Sequence, residues 1–182
     1  KYAKKMREFR KHPLVGCAGR FVEEKGFDIL MATLPEVIRA CPDALFVFAG
    51  ETNMGYEKFF EMSQKDIATL SKHLIFLGLL EGRDLSEFYR SLTVFVLSSR
   101  SDCFALTQAE AMMFGVPVVS TNIPGARMLV QETGFGEIAE TENPPSLAQA
   151  ITKVIRHRDT YQKNRQNVFS FFKKYESTKE LI

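Results

Sequence analysis

Short apolar, β-branched runs recur along this chain, and a segment with helical spacing separates most of them. "PLVGCAG" (13–19), "ALFVFAG" (44–50), "HLIFLG" (73–78), "TVFVLSS" (93–99) and "VPVVST" (116–121) read as strands, and "GFGEIAE" (134–140) adds an edge strand. Their apolar runs are continuous rather than alternating, which is the pattern of strands buried on both faces. Between them, "GFDILMATLPEVIRAC" (26–41) predicts an amphipathic helix kinked at Pro35. "MGYEKFFEMSQKDIATLSK" (54–72), "RDLSEFYRSL" (83–92) and "LTQAEAMMFG" (106–115) predict further helices, the last closed by Gly115. "PSLAQAITKVIRHR" (145–158) predicts a helix started by Pro145 and Ser146, and the tail from Thr160 is helical as well. Strands joined through helices must pair in parallel, and right-handed crossovers then cover both faces. The expected fold class is α/β: a single doubly wound, Rossmann-like domain with a parallel sheet. Ligands of such sheets bind outside the carboxyl ends of the strands, so the loops after Gly19, Gly50, Gly78, Ser99 and Thr121 are the ones to watch.

A chain of 182 residues is long enough for one domain with a full core. Its formal net charge of +2 gives no electrostatic reason to expect nucleic acid. Lys1, Lys4, Lys5, Arg7, Arg10 and Lys11 crowd the N-terminus, either as a solvated linker helix or as a patch for anionic lipid. Cys17, Cys41 and Cys103 form no CxxC pair, which fits a reducing, cytoplasmic setting and suggests neither zinc nor a disulfide framework. Cys17 and Cys41 read as core fillers. No signal-peptide pattern and no membrane-length apolar run is present. The opening "KYAKKMREF" lacks an initiator Met and reads as a piece of something longer.

Several motifs fail. "GRFVEEKG" follows the first strand where a dinucleotide site would carry GxGxxG. Gly50 and Gly55 have the spacing of half a P-loop, but Tyr56 and Glu57 stand where Lys and Ser/Thr belong. There is no GxSxG elbow and no HExxH, and His12, His73 and His157 are isolated.

Two stretches survive. In "GRFVEEKGF", Arg20 and Lys25 follow the first strand, just before a helix N-terminus. Two cations beside free helix amides make a seat for phosphate. The bland reading is equally open: both pair on the surface with Glu23, Glu24 or Asp28. In "SDCFALTQAEAMMFGVPVVST" two acids, Asp102 and Glu110, flank the entry to a helix at the same sheet edge. Thr107 and Glu110 have the spacing of a capping box, and Asp102 could be a mere loop acid. Alternatively, the carboxylates accept hydrogen bonds from the diols of a ribose and a hexose.

With these residues in place, the chain resembles the C-terminal, donor-binding domain of the family-four retaining glycosyltransferases, built from two Rossmann-like domains (the GT-B architecture). The resemblance runs from about Pro13 to Arg158 and rests on "GRFVEEKGFDIL", "LFVFAGE", the long block from His73 to Thr121, and "IPGAR". It implies that Arg20 and Lys25 hold the diphosphate of a UDP- or GDP-sugar and stabilise the leaving group. It implies that Glu110 takes the ribose hydroxyls and Asp102 those of the transferred hexose. Gly19 and the amides of Phe104, Ala105 and Leu106 would support phosphate and sugar, and the backbone near Leu79 and Leu80 would meet the base. No cofactor and no metal are implied, because the cations do that electrostatic work.

The resemblance also divides the chain: residues 1–12 as the remnant of an interdomain connection, 13–158 as the nucleotide-sugar-binding domain, and 159–182 as a segment crossing back to an absent N-terminal domain. That domain would hold a glycan or lipid acceptor, and the full-length protein would sit in the cytoplasm, with room for peripheral contact with a membrane. Three departures stand out. The first acid is Asp102 where the family usually has Glu. Cys103 and Ala105 replace two glycines, which matters if the loop needs positive φ there. The glutamate that usually follows the "PG" turn is missing after Pro124 and Gly125. A non-catalytic nucleotide-sugar-binding module, and another sugar-nucleotide enzyme such as a GT-B phosphorylase or an epimerase, are the alternatives.

Overall fold

A computed structural model describes residues 3–51 and 64–179, with side chains described for 6–51 and 67–174. The order is α1 (Ala3–Phe9), β1 (Leu14–Ala18), α2 (Phe27–Ala40), β2 (Leu45–Ala49), α3 (Gln64–Thr69), β3 (Leu74–Gly78), α4 (Gly82–Ser91), β4 (Val94–Leu97), α5 (Leu106–Met113), β5 (Val118–Thr121), α6 (Pro124–Thr133), β6 (Gly136–Ala139), α7 (Pro144–Arg156), α8 (Arg158–Gln162) and α9 (Arg165–Lys179). The sheet has six strands in the order β3-β2-β1-β4-β5-β6, and every pairing is parallel.

The chain winds outward from β1 to β3, then returns to start β4 on the other side of β1. With right-handed crossovers, this reversal puts the helices of the two halves on opposite faces. The helix contacts fall into groups: α7, which follows the last strand, packs back on α2, while α1 packs on α4 and α9 on α5 and α6. β1, β2, β4 and β5 are almost wholly buried, with Val15, Phe46, Val47, Phe95, Val96, Val118 and Val119 at the centre of the core. Phe21, Phe27, Phe48 and Phe76 form an aromatic cluster beside them, Phe21 and Phe27 stacked at 3.9 Å. Cys17 is buried, and burial pushes its thiol well up; Cys41 is half-buried and Cys103 exposed.

α2 runs as one helix from Phe27 to Ala40 with Pro35 inside it, as its span predicted; the proline is exposed, where water can serve the carbonyl left without a donor. α7 begins at Pro144, because Asn143 is its cap and takes the amide of Ser146 at 3.0 Å. The helix expected over 54–72 is described only from Gln64 to Thr69; residues 52–63 lie outside the described residues.

The basic N-terminus is docked rather than free. Met6 is fully buried, and Arg7 and Arg10 both reach Glu87 Oε1, at 3.1 and 2.9 Å. Arg10 also donates to Ser91 Oγ. Glu87 is itself buried, so the two guanidinium groups replace the water it has lost. Among the described residues no helix is long and apolar enough to cross a membrane.

Candidate functional site

β1 and β2 pair in step from Leu14↔Leu45 to Ala18↔Ala49, so their carboxyl ends are level. The backbone continues this alignment past the strands: Gly19 N–H donates to Ala49 O at 2.9 Å, and Gly50 N–H to Gly78 O at 2.8 Å. A Cβ on Gly50 would fall 1.9 Å from Gly19 O, so only glycine allows this approach. The three loops bound a cleft of about 230 Å³ lined by Gly19, Arg20, Gly50, Glu51, Leu79 and Leu80, and closed from the α4 and α5 side by Leu85, Tyr89, Thr107 and Glu110. Five residues expected at a binding site (Gly19, Arg20, Leu79, Leu80 and Glu110) therefore meet in one place. Leu80 is buried there, whereas Leu79 is 73% exposed.

Lys25 and Asp102 are brought together apart from that lining. Lys25 Nζ lies 2.8 Å from Asp102 Oδ2, and both side chains are largely buried. The pair bridges the loops after β1 and β4, the neighbouring strands at which the sheet order reverses. These loops are also stitched by backbone: Ser98 Oγ donates to Lys25 O at 2.9 Å, and Arg100 N to Glu24 O at 2.8 Å. The Arg100 guanidinium grips Asp28 through both terminal nitrogens, at 2.8 and 2.6 Å. Desolvation pushes the Asp28 carboxyl up; the Arg100 hydrogen bonds and charge, with backbone amides, outweigh it and hold it below its ordinary value. The bland reading left Asp28, beside Glu23 and Glu24, open as a surface partner for Arg20 or Lys25; Asp28 takes the Arg100 guanidinium.

The capping box does not form. α5 has Ala105 at its cap with no side-chain bond, and the carbonyl of Ala105 takes the amides of Gln108 and Ala109. Glu110 is engaged elsewhere, accepting from Tyr89 Oη at 2.6 Å. By position, the amides of Leu106 and Thr107 open the helix without an intrahelical partner. Ala105 is buried; Phe104 and Leu106 are exposed apolar side chains beside it.

A family model described as "Glycosyl transferases group 1" matches residues 1–170. The chain belongs to that family. Among curated group 1 relatives, the lipopolysaccharide core biosynthesis mannosyltransferase LpcC of Rhizobium leguminosarum bv. viciae is 30% identical over 144 residues, covering 78% of this chain and 40% of its own. LpsB of Rhizobium meliloti, also a lipopolysaccharide core mannosyltransferase, is 35% identical over 128 residues, covering 66% of this chain and 36% of its own. The chain thus spans about two-fifths of the length of these relatives. Anabaena Alr3699/HepE, solved in complex with UDP-glucose, superposes with a TM-score of 0.81 at 22% identity, over 93% of this chain and 47% of that one. The C-terminal domain of a group 1 protein (LpcC) from Francisella tularensis superposes at 0.76 with 22% identity, over 92% of this chain and 89% of that domain. The single six-stranded α/β unit is thus the Rossmann-like C-terminal domain of the GT-B fold.

Two of the three departures from the group 1 pattern can be placed in the fold. Among the described residues Glu142 is the one non-glycine at positive φ, so neither Cys103 nor Ala105 occupies a conformation that demands glycine. Gly125 backs this loop: a Cβ there would meet Asp102 O at 1.8 Å and Cys103 O at 2.5 Å. Beyond that turn, Arg127 reaches Asn122 Oδ1 at 3.1 Å. Tyr89 was not among the expected site residues; in sequence it is one more aromatic in a helix that needs a core face.

Proposed function

We propose that the chain is the donor-binding half of a retaining glycosyltransferase that takes a hexosyl group from a UDP- or GDP-sugar. The observation that carries this reading is the cleft itself, where Arg20, Glu110 and the glycine backbone of two strand ends converge at the carboxyl edge of the sheet. The names of the relatives lend support: two are mannosyltransferases, and the Anabaena neighbour holds UDP-glucose.

In this reading Arg20 binds the diphosphate through its planar fork, and Lys25 adds a point charge. As the bond from the anomeric carbon to the diphosphate oxygen breaks, the electron pair stays with the leaving group, where both cations offset the growing charge. No dedicated metal is required for that step. Glu110 accepts from the ribose hydroxyls, and Asp102 from hydroxyls of the transferred sugar. The glycan or lipid acceptor belongs to another domain, so this half alone binds donor but transfers little, lacking an oriented acceptor.

Calorimetry of the 182-residue chain with UDP, GDP, UDP-glucose and GDP-mannose tests the reading. Binding of at least one pair, weakened at least tenfold by Arg20→Ala at an expected cost of roughly 1.5–3 kcal/mol, supports it. A wild-type chain that binds none of the four ends it.

A further inference from the structure

We propose that Tyr89 is the positioning residue of the donor cleft: its buried hydroxyl holds one oxygen of Glu110 so that the other faces a ligand's vicinal diol. This rests on the reading of Glu110 as the ribose ligand. Glu110 is an exposed glutamate on α5, and a side chain of that kind carries rotamer freedom that a ligand must otherwise remove. Tyr89 removes it in advance. Its Oη lies 2.6 Å from Glu110 Oε2, and among the described residues Oε1 has no hydrogen-bond partner.

The phenol is well anchored for this work. Tyr89 is 1% exposed. Its ring stacks on Phe114 at 5.6 Å and 12°, and packs against Phe88 and Phe95. Phe114 is the residue that closes α5, so the ring that aims Glu110 also supports the helix carrying it. Desolvation, then the hydrogen bond and charge of Glu110, push the hydroxyl far above its ordinary value, so it stays a donor. A phenol donor matches a carboxylate acceptor, and the remaining oxygen can take both hydroxyls of a cis-diol.

The test uses Tyr89→Phe, which keeps the ring and its packing. UDP or GDP affinity should fall about five- to tenfold, the scale of one hydrogen bond to a charged group. Affinity for the matching 2′,3′-dideoxynucleoside diphosphate should stay the same, because that probe offers no diol. In a Glu110→Ala background Tyr89→Phe should have no further effect. A further loss there means the hydroxyl touches the ligand itself, and equal losses for ribo- and dideoxy-probes mean a merely structural role; either overturns the proposal. A second measurement needs no nucleotide. The Tyr89 hydroxyl proton should give a slowly exchanging NMR resonance in the wild-type chain that shifts in Glu110→Gln; its absence or indifference to that variant overturns the bond. If the wild-type chain binds no nucleotide while this resonance responds, the donor-site reading has failed and the positioning of Glu110 has not.

Discussion

Lys25 and Asp102 form an ion pair across the point where the sheet order reverses, with Nζ and Oδ2 2.8 Å apart. Each had been expected to meet a different part of a donor, the lysine its phosphates and the aspartate its sugar. In the structure each satisfies the other.

This contact sets the first expectation. Asp102→Asn leaves the lysine without its counter-charge, so free UDP or GDP should bind more tightly, by about two- to fivefold for a pair worth ~0.5–1 kcal/mol. The additional affinity for the sugar conjugate should disappear. Calorimetry of both ligands at low and moderate salt reads the two effects separately; weaker binding of free nucleotide in Asp102→Asn would contradict the exchange.

Gly125 supplies the second. A methyl group there meets two backbone carbonyls of the Asp102–Cys103 loop, neither of which can rotate away. Gly125→Ala should cost about 1–3 kcal/mol, as overpacking does, and should displace the loop. Urea unfolding and the Kd for a nucleotide sugar should both register it.

A third concerns pH. The Asp28 carboxyl is held below its ordinary value in the folded chain, so its stabilising contribution is present above the unfolded carboxylate range near ~4 and is lost as pH falls through the lower folded value. Arg100→Gln removes that depression. The variant should be less stable than wild type at neutral pH, and the difference should narrow as acid protonates Asp28 in both. Denaturant titrations between pH 7 and pH 3 follow it; a gap that widens in acid would refute the assignment.

The fourth lies at the N-terminus. Replacing both Arg7 and Arg10 with Gln leaves the buried Glu87 carboxylate without a cationic partner. About 1 kcal/mol should be lost, the low end for a stranded buried group, because both arginines are substantially exposed and screened. Thermal melting of the double variant against wild type gives the answer.

The strands were legible because burial on both faces writes itself as runs such as "LFVFA", and the helices because their apolar faces repeat. The ends of elements were less so. Thr107 and Glu110 have capping-box spacing, yet Glu110 turns to Tyr89, which is remote in sequence and carries no local sign of the contact. Likewise nothing within "GRFVEEKGF" announces that Lys25 will meet Asp102, because the meeting depends on β1 and β4 becoming neighbours. Arg20, Glu110 and the strand-end glycines could be placed in advance because doubly wound topology fixes where strand ends gather.

The glycine contact at the base of the cleft has a practical consequence for anyone wishing to redesign what it accepts. Gly19 and Gly50 touch through main chain alone, and the room for a side chain at Gly50 is already taken by a carbonyl oxygen. A mutant library spread evenly over the lining would waste its diversity there. Variation belongs at Leu79, Leu80 and Glu51, where a new side chain can change the shape of the cleft without lifting the sheet ends apart.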